Sequence, residues 1–145
     1  MKKVVKQNIL GDNALPVAYP LFIFDEGNDL SVIRDEKSIY GEIEPVDVNN
    51  ILFTAYDAKG RLINLVPTGE YCIKPYLAEN EPLHADELKG KLFGYAKTFC
   101  EPINENDTQS LDVLIEIIMN HEEKTKSLFS RNISEVLKII RQKKA

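Results

Sequence analysis

Ile51-Leu-Phe-Thr-Ala-Tyr56, Asp57-Ala-Lys-Gly60 and Arg61-Leu-Ile-Asn-Leu-Val66 follow one another without a break. The outer runs carry the β-branched and aromatic residues that suit a pleated, half-buried strand. Asp at the first turn position and Gly at the last suit a type I turn closed by a residue at positive φ, which only Gly adopts cheaply. The spacing predicts a tight hairpin, and therefore an antiparallel sheet. Towards the N-terminus, Tyr19-Pro-Leu-Phe-Ile-Phe24, the turn cluster Asp25-Glu-Gly-Asn-Asp29 and Leu30-Ser-Val-Ile33 predict a second hairpin. Between the two, Asp35 to Glu44 places Ile39, Tyr40 and Ile43 at i, i+1 and i+4, the spacing of one or two helical turns, and Pro45 ends it. Towards the C-terminus, Pro67-Thr-Gly69 reads as a turn. Glu70 to Leu77 reads as a fifth strand in which Tyr71, Ile73 and Pro75 alternate with Cys72, Lys74 and Tyr76.

Beyond Leu83 the period changes. Leu88, Leu92, Tyr95, Ala96 and Phe99 mark one face of a helix with Asp86 and Glu87 in its first turn, where the helix dipole favours carboxylates. Glu101-Pro102 stops it, and a polar connector runs to Thr108. A second apolar stripe, Leu111, Leu114, Ile115, Ile118 and Met119, is wide enough for a central helix. Leu128, Phe129, Ile133, Val136, Leu137 and Ile140 mark a third, which Ser130 or Asn132 would cap, the latter with Glu135 three residues on. The expected fold is α+β: an N-terminal antiparallel sheet of about five strands with a short helix inserted, then three C-terminal helices packed on the sheet. At 145 residues, 43% hydrophobic, a single domain over residues 1–145 is expected, with a core large enough to need no metal or disulfide staple.

Charge is unevenly distributed. Residues 1–123 hold 11 basic and 22 acidic side chains, a net −11, whereas residues 124–145 hold 7 basic and 1 acidic, a net +6. An acidic body repels phosphate backbones and attracts cationic partners, so nucleic acid is disfavoured as a partner of the main domain. The basic Arg141-Gln-Lys-Lys144 end suits a helix C-terminus and has no aromatic residue for stacking on bases. The N-terminal residues lack the apolar core of a signal peptide, and the most apolar stretch, Pro16 to Phe24, is too short for a bilayer. A cytoplasmic protein without membrane contact is expected.

Reactive chemistry is thinly represented. His84, beside Asp86 and Glu87, and His121, before Glu122 and Glu123, have no helical ligand spacing between them and read as solvated helix residues, so no metal is expected. Gly90 and Gly94 precede Lys97-Thr98, but their gap of three residues and the displaced lysine break the phosphate-loop pattern. They read instead as points of close approach or as tolerated helix glycines. No GxSxG occurs, and Cys72 and Cys100, in no ligand spacing, read as small core fillers. The carboxylates Asp35, Glu36, Glu42, Glu44, Asp47 and Asp57 form no spacing that fixes an acid/base pair and read as a solvated or partner-facing surface.

Gly41-Glu-Ile-Glu-Pro-Val-Asp-Val-Asn-Asn50, followed by Phe53-Thr-Ala-Tyr-Asp-Ala-Lys-Gly-Arg-Leu62, resembles a pattern of small bacterial proteins that look like immunity proteins of secreted, polymorphic toxin systems. Glu79-Asn-Glu-Pro-Leu-His-Ala-Asp-Glu-Leu88 is similar to the same group, and the likeness spans about residues 35 to 98. It implies a bacterial, non-enzymatic inhibitor without cofactor, monomeric when free, that binds a cognate and cationic toxin domain one to one. The partner-binding face expected on this reading is Asp35, Glu36, Glu42, Glu44 and Asp47, with Tyr40 as the aromatic anchor. A small enzyme whose site forms from residues distant in sequence, and a self-associating structural protein, are the alternatives.

Overall fold

The computed structural model describes residues 16–43, 47–48, 52–69, 71–100 and 110–144. The hairpin predicted around Asp57 to Gly60 is present. β3 (Thr54–Tyr56) runs antiparallel to β4 (Leu62–Pro67). In the turn, Asp57 Oδ1 accepts the N–H groups of Lys59 and Arg61, both at 3.0 Å, and Gly60 takes φ +85°. The second hairpin, β1 (Leu21–Phe24) with β2 (Leu30–Ile33), uses the same device. Asp25 Oδ1 accepts from Gly27 and Asp29, and Asn28, a residue that tolerates the left-handed region, stands at φ 64°.

With β5 (Ile73–Leu77) the five strands form one antiparallel sheet in the order β2-β1-β3-β4-β5. Register explains the core. Ile23, Ala55, Ile63 and Leu77 lie opposite one another across four strands, all buried. Because side chains alternate along a strand, Leu21, Ile33 and Ile73 share that face and join the same cluster. Phe22, Tyr56 and Leu62 make the row on the other face, where Phe22 and Tyr56 are fully buried and Phe24 meets Tyr56 edge-on. β1 is thus buried on both faces, as expected of an inner strand covered on two sides.

The inserted helix is short: a 3-10 turn (Glu36–Ser38) runs into α1 (Ile39–Glu42), whose Ile39, with Ile43 just beyond, sits in the core cluster. Two helices follow the sheet, α2 (Ala85–Phe99) and α3 (Leu111–Lys144). The fold is α+β. Contacts divide the chain into two compact units, Met1–Gly90 and Lys91–Ala145, the division falling inside α2. In the second unit Leu92, Ala96, Leu114 and Ile118 are buried, and the Tyr95 ring meets His121 edge-on.

Three expectations are corrected. The second and third C-terminal helices are one continuous helix of 34 residues. No Pro or Gly interrupts Leu111 to Lys144, and Thr125, between the two apolar stripes, donates its hydroxyl to the His121 carbonyl within the helix. Cys72 is exposed rather than a core filler, because β5 starts one residue later, at Ile73. A Cβ on Gly90 or Gly94 would meet nothing within 4 Å among the described residues, so neither glycine marks a close approach.

Candidate functional site

Residues 35 to 42 are held firmly for so short a segment. Asp35, in extended conformation, accepts the Ser38 N–H through Oδ1 at 2.9 Å, while its own N–H donates to the Ser38 hydroxyl. This reciprocal cap fixes the chain's entrance into the 3-10 turn. Ile39 and Ile43 then anchor the segment in the core, with the Ile43 N–H donating to the Ile39 carbonyl at 2.9 Å. A helix advances about 100° per residue, so burying Ile39 turns Tyr40 outward. Tyr40 is 38% exposed and stands edge-on to Tyr71, 67% exposed, with ring centroids 5.7 Å apart.

Glu36 and Glu42 are exposed on the same segment, and Asp47 is half-buried. Glu44 lies outside the described residues. The segment therefore unites Asp35, Glu36, Tyr40 and Glu42, and the fold adds Tyr71, which the sequence reading had placed within a strand. The signal that would have found Tyr71 is its position before β5, where strand alternation no longer governs it. Tyr19 is also near: burial first, then the charges of Glu36 and Asp35, hold its phenol above the ordinary value.

A second polar grouping surrounds the β3–β4 turn. Asp57 and Arg61 are buried together. Asp57 Oδ2 accepts from Arg61 Nε at 2.9 Å and Nη2 at 2.6 Å, and from the Ala18 N–H at 3.1 Å. Arg61 Nη2 also donates to the Pro16 carbonyl at 3.0 Å. Asp57 is thus no part of an open carboxylate surface. Both of its oxygens are occupied by donors, an arrangement suited to holding the chain and not to exchanging protons.

His84 differs from its reading as a solvated helix-end residue. Its Nδ1 lies 2.9 Å from both oxygens of Glu79, which also accepts the Leu62 N–H through Oε2 at 3.0 Å. Glu79 lines a cavity of about 350 Å³ together with Phe53, Thr54, Leu62 and Asn64. Among its lining residues there is no Ser, Cys or second carboxylate. Of the pair only Glu79 lines the cavity, and the lining offers no nucleophile beyond the Thr54 hydroxyl.

Tyr56 closes the grouping by donating its hydroxyl to Glu87 Oε2 at the start of α2. Burial, then the hydrogen bond and charge of Glu87, push its phenol well above the ordinary value of 10. A raised folded pKa contributes stability that is fully present below the unfolded value and is lost as pH rises from there through the folded one. We expect Tyr56→Phe to cost about 1 kcal/mol at neutral pH, since Glu87 is exposed and rehydrates freely. The variant should also lose part of the wild-type decline in stability above about pH 10. Urea unfolding between neutral pH and pH 11 measures both, and parallel alkaline profiles would contradict the assignment.

Among the described residues no group of three or more His, Cys, Asp or Glu side chains is arranged to hold a metal ion, and no helix is long and apolar enough to cross a membrane. Neither the family models, nor the curated proteins, nor the solved structures give a match to this chain.

Proposed function

We propose that this chain is an immunity-type binding protein that neutralises a cationic bacterial toxin domain, one to one, in the cytoplasm of the cell that makes it. The observation that carries the reading is the solvent-facing Tyr40–Tyr71 pair set among Asp35, Glu36 and Glu42 on a segment anchored by Ile39 and Ile43. Such a face suits the two demands on an inhibitor. Carboxylates steer a basic partner and raise the association rate, and rigid aromatic rings fill pockets on the partner and slow dissociation. The net −11 over residues 1–123 extends the attraction beyond the contact itself.

The partner to test is a toxin domain, sought first in the coding sequences adjacent to this gene. Tyr40→Ala and Tyr71→Ala should each weaken the complex by about 2 kcal/mol, mostly through faster dissociation. Glu36→Gln with Glu42→Gln should slow association several-fold at low salt and little at high salt, because exposed charges act through a screened field. Stopped-flow association and surface-plasmon dissociation rates separate the two effects. A complex that forms at unchanged rates with all four substitutions rules this face out. No association at low salt discards the pairing.

A further inference from the structure

The two edges of the sheet are built differently. In the β4–β5 ladder, Ala78 donates to Leu62 and Thr68 to Cys72, so the hydrogen-bonded pairs fall at even positions of β5. The N–H positions of Ile73, Pro75 and Leu77 therefore face outward, and Pro75, at the middle of that row, has no N–H to offer. Proline there blunts the edge against further pairing.

β2, the opposite edge, has no such block. Asp25 donates to Asp29, which sets Ile23 opposite Ser31 and Leu21 opposite Ile33 as the hydrogen-bonded pairs. The N–H and C=O groups of Leu30 and Val32 consequently face away from β1, and among the described residues no strand lies beyond β2. Carboxylates lie at both ends of this strand, Asp29 directly before it and Asp35 and Glu36 directly after, while Asp25 and Glu26 in the preceding turn accept the N–H groups of Gly27 and Asp29 and of Leu52. Among the described residues following the strand, Arg34 is already engaged within the chain, and Lys37 stands one residue beyond Glu36.

A second copy is a poor occupant. Antiparallel pairing of β2 with itself about Ser31 would bring the carboxylates of the 25–29 turn towards Asp35 and Glu36 of the other chain, like charge against like. The same arrangement suits a cationic strand. We propose that the outer edge of β2 receives an extended segment of a protein partner bearing Lys or Arg at its ends, which pairs with Leu30 and Val32 as a sixth strand. Main-chain bonds would supply affinity and the flanking carboxylates register and choice of partner. This deepens the reading of residues 35 to 42 as the working face and rests on it.

The test uses the full-length protein and a blocked peptide of alternating Lys and Val, seven residues long, followed by NMR at low salt. Binding should slow exchange of the Leu30 and Val32 amides and fade as salt rises. Val32→Pro removes an outward N–H and leaves the β1–β2 ladder intact, so it should weaken the peptide by about ten-fold, the worth of one lost hydrogen bond. A peptide N-methylated at alternate amides makes the same deletion on the other partner and needs no variant to fold. Equal binding of the methylated peptide in both registers, unchanged exchange of Leu30 and Val32 at saturation, or no binding at low salt overturns the proposal. If the peptide binds, depends on Glu36 and Glu42, and leaves Leu30 and Val32 unprotected, edge pairing fails while the acidic-face reading survives. If both amides are protected and Glu36→Gln with Glu42→Gln changes nothing, edge pairing stands and that reading fails.

Discussion

Asp57→Ala should be among the most destabilising single substitutions in this chain. The substitution strands the Arg61 guanidinium in a fully buried site and removes the acceptor for the N–H groups of Ala18, Lys59 and Arg61. Breaking a buried pair by deleting one partner costs about 3–5 kcal/mol, because the remaining charge is uncompensated. That is a large share of the roughly 5–15 kcal/mol available to a domain. Asp57→Asn tests which part matters, since its amide oxygen still accepts from the turn while the charge is gone. It should fall between wild type and Asp57→Ala. Urea unfolding followed by circular dichroism gives the ranking. If Asp57→Ala unfolds within about 1 kcal/mol of wild type, the pair is not the fastening described here.

Gly60→Ala should be nearly as damaging, for a steric reason. A Cβ built on Gly60 falls 2.4 Å from the Ala85 Cα and 2.9 Å from the Ala85 nitrogen, so the obstacle is backbone at the start of α2 and cannot swing aside. The φ of +85° adds its own penalty, and a non-glycine residue in such a conformation costs about 1–3 kcal/mol before any clash. Relief requires moving the hairpin turn off the helix start, which also stretches the bond from the His84 N–H to the Gly60 carbonyl, 3.2 Å in the native fold. We expect a loss at or above the top of that range, together with faster exchange of the His84 amide. Gly41→Ala is the internal control. A Cβ there meets nothing within 4 Å among the described residues, and in α1 alanine should be neutral or stabilising by up to about 1 kcal/mol. Equal stabilities for the two variants would contradict the packing of the turn against α2.

What the sequence disclosed and what it withheld follow from the range of the interactions concerned. Both hairpins were legible because Asp25 and Asp57 act on N–H groups two and four residues away. The short helix was legible from the spacing of Ile39, Tyr40 and Ile43, two of which are buried, while the cap of Asp35 with Ser38 came to light only in the structure. The partnership of Asp57 with Arg61 left a trace in their spacing across a tight turn, whereas its links to Pro16 and Ala18 left none, since they join residues about forty positions apart. His84 looked solvated because Glu79 reaches it only through the course of the chain between β5 and α2. Continuity of α3 was misjudged from Ser and Asn residues that cap a helix when one begins there and are merely mild costs when one runs through. Of the candidate site, the acidic segment and Tyr40 were readable in line, while Tyr71 arrives beside Tyr40 from thirty-one positions away by sheet folding alone.

The fastening at Asp57 also sets an order of assembly. Its two charged members sit four residues apart in one turn, so they can find each other early, at little loss of chain freedom. Capturing Ala18 and Pro16 closes spans of 39 and 45 residues and has to wait until β1 lies beside β3. The last-formed part of this knot is therefore the lead-in to β1, and the first to let go: a protease should nick the chain there before it reaches the hairpin.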